Sequence, residues 1–274
     1  MNLAIGLIVS HGFPAPTRFW GSYEAVKLHV SEGLANAALP DDLKISGVTV
    51  LKSTAFPIDV ARNAVVRDFL DTRNEWLFFM DADMTFPEDV IPRLLSRRKS
   101  VISGRYHMRK EPYHAVAYVK HRVVDGPNTY APIHYGRGVI EIERGGAGCL
   151  LIHRSVLEHI RTRIGDNWFR YQRGPEAPHD FTVSEDFWFY RQARESGFPC
   201  FLDWDCECEH LQEMGINRSW NEAYLDAQVR EMAAMSPEGR DAILSSLVAC
   251  GFPDGYRLAN GATVPQYEYT AGER

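Results

Sequence analysis

Trp76-Leu77-Phe78-Phe79-Met80-Asp81-Ala82-Asp83 opens with five apolar residues in a row and ends on two carboxylates one residue apart. An apolar run without alternation marks a strand covered on both faces, as in a parallel sheet. Its abrupt stop at Asp81 places the acids at the strand's carboxyl end, where ligands collect in open parallel sheets. If the strand continues through them, its period of two points both carboxylates the same way. Two hard oxygen donors suit Mg2+ or Mn2+, which take carboxylates together with substrate phosphates. Acids fed into a cleft by a buried strand need such a cation, or hydrogen bonds, to offset desolvation. The plainer alternative is an Asp-rich turn capping the next helix, although Thr85 is available for that cap.

Upstream, residues 3–9 are a second continuous apolar run, ended by Ser10-His11-Gly12. A helix is expected over 20–38, a strand over 45–51, and a helix from Pro57 to about 73. Thr85 and Glu88 fit a capping box, with Pro87 in the first turn of a helix carrying Val90, Ile91, Leu94 and Leu95. A strand begins at Val101. The first hundred residues therefore read β-α-β-α-β-α-β, the pattern of a parallel sheet covered by helices and joined by right-handed crossovers.

Downstream, 115–121 and 139–143 alternate and are joined by a Gly/Pro/Asn-rich stretch, which suggests an antiparallel addition. A buried strand is expected at 149–152, a helix at 154–163, an aromatic loop over 164–182, a helix at 184–196 and a strand at 199–203. Beyond 215 the sequence reads as two helices and a polar tail. The expected division is a main domain over 1–215 and a small helical extension over 216–274.

Composition bounds the rest. The 274 residues are 45% hydrophobic and 24% charged, which excludes a disordered or fibrous chain. A formal net charge of −6 offers no general attraction to polyanions, so nucleic-acid binding would need a local basic patch. Arg97-Arg98-Lys99 with Arg105, Arg109 and Lys110 is the candidate, a solvated helix end and charged loop being the plainer reading. Five cysteines form no even framework, which points to reduced thiols in a cytoplasmic setting. No stretch reaches the roughly 18 apolar residues of a membrane span, and 3–9 is too short for a signal-peptide core.

Phe78-Phe79-Met80-Asp81-Ala82-Asp83-Met84 is similar to the DxD motif of GT-A glycosyltransferases, near the inverting family-two type found in bacteria and bacteriophages. The resemblance runs over roughly 3–212. Asp59-Val60-Ala61-Arg62-Asn63 resembles the segment that precedes the DxD strand and lines the nucleotide pocket. Gly146-Ala147-Gly148-Cys149 resembles the Gly-rich strand entry beside the donor sugar. Ser184-Glu185-Asp186 matches the acidic helix start, and Cys208-Glu209-His210 the late histidine of the metal site. Each motif is common alone; their order and spacing together are more specific.

The resemblance implies a Rossmann-like GT-A fold, a mixed α/β sheet flanked by helices. It implies a hexosyl- or pentosyltransferase acting on a nucleotide-diphospho-sugar, a UDP- or GDP-sugar. Mn2+ or Mg2+ would be held by Asp81, Asp83 and His210. The donor would meet Ser10, Arg62, Asn63, Asp81, Ala82, Asp83, Arg109, Gly146, Ala147 and Gly148. Asp186 would be the general base, with Glu185 as the fallback, and a base opposite the leaving group implies inversion. The acceptor stays open among glycans, small molecules, proteins and hydroxylated DNA bases, the acidic net charge counting against DNA. The expected C-terminal helices, about 221–248, would shape an acceptor lid or a homodimer contact.

Physical chemistry gives each assignment a rival. Arg suits phosphate and Asn suits a pyrimidine edge, but Arg62 also suits an ion pair with Asp59 or Asp68. Acids at helix starts are common because the macrodipole favours them. Gly146 and Gly148 permit close approach of a donor, or are turn residues. Trp168, Phe169, Tyr171, His179, Phe181 and Trp188 form either an acceptor platform or core. Cys206, Cys208 and His210 suggest a zinc cluster, but a fourth ligand at structural spacing is missing. Asp81-Ala82-Asp83-Met84-Thr85 also satisfies the haloacid-dehalogenase-like phosphatase pattern, with Asp81 as nucleophile, although that motif normally opens its domain. A non-catalytic nucleotide-sugar-binding module is the third reading.

Overall fold

The computed structural model describes residues 1–9, 15–110, 112–121, 129–172 and 183–212. Ser10, His179, Phe181, Cys250 and the expected extension over 216–274 lie outside the described residues. In chain order the first half contains β1 (Asn2–Ile8), α1 (Thr17–Ser31), β2 (Gly47–Ser53), α2 (Ile58–Leu70), β3 (Trp76–Asp81), β4 (Met84–Thr85), α3 (Val90–Ser96) and β5 (Val101–Arg105). The second half contains β6 (Ala117–His121), β7 (Thr129–Pro132), β8 (Val139–Ile142), β9 (Arg144–Gly145), β10 (Cys149–His153), α4 (Arg154–Ile164), α5 (Glu185–Glu195), β11 (Cys200–Glu207) and β12 (Glu209–His210).

Seven strands form one sheet in the order β2-β1-β3-β10-β5-β11-β8. β1 runs parallel to β2 and β3, and β11 runs parallel to β5. β10 is antiparallel to both β3 and β5, and β8 is antiparallel to β11. This is the mixed, helix-flanked α/β sheet expected from the sequence.

The apolar run of β3 is explained by its two covered faces. Phe78 and Met80 join a core with Leu3, Ile5 and Phe19, over which α1 and α3 pack. Leu77 and Phe79 point the other way, into a core with Val65 and Phe69 of α2 and Leu157 of α4. Burying both faces removes the polar–apolar alternation that a half-exposed strand shows.

Several expectations are corrected. The β3 and β5 strands are not neighbours, because β10 inserts between them in the opposite direction. Of the two alternating segments, 139–143 supplies β8 at the edge of the main sheet, while β6 pairs instead with β7 and β9. The capping box does not form: Thr85 lies in the β4–β12 ladder and its hydroxyl donates to Glu209 at 2.8 Å. The α3 helix begins later, at Val90, after Asp89. The first helix also stops earlier than expected, with Gly33 at φ 75° beyond its end, a conformation that glycine adopts without strain.

The β3–β10 register places Cys149 opposite Met80, so the Gly-rich segment ends against the acids. The Asp81 amide donates to the Gly148 carbonyl at 3.0 Å. Leu151, fully buried on β10 opposite Phe78, tests this central inserted strand. Leu151→Ala is expected to lower unfolding stability by about 2–5 kcal/mol, read as a lower denaturation midpoint in urea with an unchanged slope.

Candidate active site

Arg62 stands at the centre of the site. Ala61, Val65, Val66 and Phe69 give α2 its buried face, and Arg62 lies within it at 1% exposure. Its two terminal nitrogens donate to the two Asp81 oxygens at 3.0 Å each, the bidentate fork expected of Arg with carboxylate. One of them also reaches the Ala147 carbonyl at 3.4 Å. Nε stands 3.5 Å from Asp186 Oδ1 and 3.7 Å from Glu185 Oε1. The guanidinium carbon lies 5.6 Å and 5.7 Å from the ring centres of Phe79 and Phe169, close enough for cation–π attraction.

The α5 helix presents its two acids to Arg62 because of how it starts. Ser184 is the N-cap, its hydroxyl oxygen accepting from the Phe187 amide at 3.3 Å. Glu185 and Asp186 then occupy the first turn, where the helix dipole favours negative charge. One guanidinium therefore serves three carboxylates, from β3 and from α5.

Burial works against the charge on Arg62, but the Asp81, Asp186 and Glu185 carboxylates raise its pKa above the ordinary value. Burial pushes the Asp81 carboxyl up, opposed by Arg62. Asp186 is pushed well above the carboxylate range, by burial first and by Glu185 and Asp81, with Arg62 opposing. Asp186 Oδ1 and Arg62 Nε are buried without a hydrogen-bond partner among the described residues.

Asp83 faces elsewhere. The strand ends at Asp81 and the chain turns through 82–83, so the two acids do not follow one another along a continuous strand, although the Asp83 charge still acts on Asp81. Asp83 Oδ2 lies 3.1 Å from Arg109 and 3.5 Å from His210 Nε2. The β4–β12 ladder sets this geometry, pairing His210 with Met84, while the Leu211 amide donates to the Asp83 carbonyl at 2.7 Å. His210 Nδ1 lies 2.9 Å from the His107 carbonyl. A carbonyl only accepts, so Nδ1 carries the proton. Tyr106 stands edge-on to the imidazole, ring centres 5.5 Å apart. Burial raises the Asp83 pKa, but the His210 hydrogen bond and charge, then Arg109, bring it below the ordinary value.

This arrangement fits a divalent cation at two protein ligands. An imidazole whose other nitrogen donates to a backbone carbonyl is the usual setting of a metal-ligating histidine. Carboxylate and imidazole together suit Mn2+. Among the described residues no group of three His, Cys, Asp or Glu side chains could hold a metal. Asp81 is taken up by Arg62 rather than converging with Asp83 and His210, so the three-residue ligand set expected from the sequence is not assembled.

Other expected residues divide between site and scaffold. Asn63 is not free to read a base, since its amide pairs with both backbone groups of Phe169 at 2.7 Å and 3.0 Å. A Cβ on Gly146 would stand 1.7 Å from Tyr106 Oη, and one on Gly148 would stand 2.5 Å from Met84 Sδ and 3.1 Å from Asp81 Oδ2. The protein's own packing thus requires both glycines. Ala82 and Ala147 are buried beside the acids.

The basic run is satisfied internally: Arg97 pairs with Asp203, Arg98 with Asp42, and Lys99 lies over Phe201. Arg105 pairs with Glu207. Trp168 and Phe169 are core, whereas Tyr171 is 42% exposed and its hydroxyl pKa is raised, by burial first and then by Glu185. Cys206 and Cys208 are buried in the core cluster that contains Cys149, with Cys208 Sγ 3.5 Å from Cys149 Sγ. His210 faces Asp83 instead, so no zinc cluster forms from them. Sequence reasoning missed Tyr106, whose hydroxyl accepts from the Gly148 amide at 3.2 Å. Its signal was its place just past the carboxyl end of β5.

No protein-family model matches the chain. No curated protein matches it either. Among solved structures, the crystal structure of A197 from STIV is similar at 14% identity and TM-score 0.40, covering 78% of this chain and 96% of that one. The crystal structure of GalNAc-T7 with UDP, GalNAc and Mn2+ is similar at 9% identity and TM-score 0.46, covering 77% of this chain and 44% of that one. Neither likeness assigns an activity to this chain.

The raised pKa of Asp186 carries a stability consequence. A carboxyl whose folded pKa lies above its unfolded value, about 3.9, contributes stability at low pH that is lost as pH rises through the folded pKa. Asp186→Asn carries no such charge at any pH. The variant is expected to gain melting temperature relative to wild type as pH rises from about 4 toward 8. A difference independent of pH in paired melting curves would contradict the assignment.

Proposed function

We propose that this chain is a metal-dependent glycosyltransferase that moves a sugar from a nucleotide-diphospho-sugar to an acceptor hydroxyl. The observation that carries this reading is the buried Asp186 oxygen without a hydrogen-bond partner among the described residues, joined through Arg62 to the Asp81 that begins the DxD segment. The sequence resemblance supports it independently, because its separate motifs meet around Arg62 and Asp83.

A divalent cation at Asp83 and His210 would neutralise charge developing on the departing diphosphate. Arg109, half-exposed and paired with Asp83, is placed to bind a phosphate oxygen as well. Arg62 holds Asp81 at the strand end and keeps positive charge beside Asp186. Asp186 Oδ1, which has no hydrogen-bond partner among the described residues, takes the proton from the acceptor hydroxyl as that oxygen attacks the anomeric carbon. With the base opposite the leaving group, the product is inverted.

The phosphatase reading is disfavoured by the same geometry: both Asp81 oxygens accept from Arg62 at 3.0 Å, an ion pair that weakens the carboxylate as a nucleophile. No helix among the described residues is long and apolar enough to cross a membrane.

A panel of nucleotide sugars is expected to contain one that the protein hydrolyses slowly with stimulation by Mn2+. Asp83→Ala should abolish metal-dependent donor binding. Asp186→Asn should leave donor binding intact and lower turnover by roughly 10²–10⁴. Equal loss of donor binding in both variants would overturn the roles. Hydrolysis of simple phosphate esters through an aspartyl-phosphate would replace the reading with the phosphatase one.

A further inference from the structure

Between the small sheet β7-β6-β9 and the outer face of α5 lies a cavity of about 280 Å3 lined by Tyr130, Glu143, Arg144, Arg191, Arg194 and Glu195. Its charges are unequally satisfied. Arg194 is fully occupied, by Glu141 at 3.1 Å, Glu143 at 2.8 Å and the Ile142 carbonyl at 3.2 Å. Glu195 is held by Arg163 at 2.9 Å and approaches Arg191 only to 4.0 Å.

Arg191 gives one nitrogen to Gln172 at 2.6 Å, but its Nε is buried with no acceptor among the described residues. Its guanidinium carbon lies 4.7 Å from the Trp188 ring centre. Arg144 pairs with no carboxylate among the described residues; its guanidinium carbon lies 3.3 Å from the Tyr130 ring centre and 5.4 Å from that of Phe187. Stacking on a ring holds a guanidinium by its face and leaves the N–H groups at its edge free to donate.

Two cations without full neutralisation therefore line one cavity on pre-positioned aromatic supports. A phosphoryl group is the matching ligand. It carries about −1.5 to −2 charge at neutral pH and three acceptor oxygens, enough for two forks, whereas a carboxylate supplies one charge and saturates one fork.

We propose that this cavity binds the phosphoryl group of a phosphorylated acceptor. The phosphate site stands on its own residues; its service to an acceptor rests on the glycosyl-transfer reading. The α5 helix connects the two, because Arg191 lies five residues beyond Asp186, about 7.5 Å along the axis. Phe187, against which Arg144 lies, directly follows the proposed base. Arg191 also lies roughly 140° around the helix from Asp186, so an acceptor anchored here must extend past Phe187 to bring its hydroxyl to the base.

Titration with inorganic phosphate in metal-free buffer, followed by calorimetry, tests the site. Saturable binding is expected. Arg144→Gln or Arg191→Gln should weaken it by roughly tenfold or more, while Arg98→Gln, at an exposed arginine paired with Asp42, should leave it unchanged. Arg144→Lys, which keeps the charge, should restore part of the affinity in a protein of unchanged melting temperature. Unaltered affinity in both the Arg144→Gln and Arg191→Gln variants, equal loss in Arg98→Gln, or equal affinity for acetate would overturn the phosphate site. In a transfer assay, glycerol 3-phosphate should be used at lower KM than glycerol, and Arg144→Gln should erase that advantage without changing donor hydrolysis. No advantage alongside intact phosphate binding would overturn the acceptor role, whereas absence of any donor turnover would mark failure of the glycosyl-transfer reading instead.

Discussion

A guanidinium buried at 1% exposure is tolerated only where carboxylates meet it, and Arg62 meets three. Removing a charged group from water costs several kcal/mol even after relaxation, so α2 can keep Arg62 inside only while β3 and α5 bring their acids to it. The constraint also runs the other way. The strand end at Asp81 and the first turn of α5 are far apart in sequence, and Arg62 is the group that touches both. Phe79 and Phe169 cover the guanidinium and keep water from competing.

The arrangement leaves an excess of negative charge. Three carboxylates face one guanidinium, and Asp83 adds a fourth nearby whose partners are Arg109 and His210. The Asp186 oxygen without a hydrogen-bond partner among the described residues shows where the compensation is incomplete. Such imbalance at a strand end lowers stability, a cost commonly found where a site is kept for function.

Much of this was legible in the sequence where one physical signal dominated. The unalternating apolar run of β3 announced a strand covered on both faces, and Ser184 with the two following acids announced the α5 start. The insertion of β10 was not legible, because a buried strand reads the same in either direction. Thr85 misled for a related reason: its hydroxyl suits a helix cap, but the β4–β12 ladder, formed with a segment more than a hundred residues away, claims it. The α2 pattern identified an apolar face without revealing that Arg62 lies in it, since burial of an arginine is decided by partners distant in sequence. Asn63 was misread likewise, its amide being taken by the Phe169 backbone. The break between Asp81 and Asp83 depended on a turn at Ala82 that no periodicity forecast.

The most direct test is a crystal structure with Mn2+ and a nucleoside diphosphate, read by anomalous scattering at the manganese edge. A peak is predicted between Asp83 and His210, bridged to the diphosphate, with Arg62 still forked on Asp81. A metal bridging Asp81 and Asp83 with Arg62 displaced, or no metal near either acid, would contradict the account.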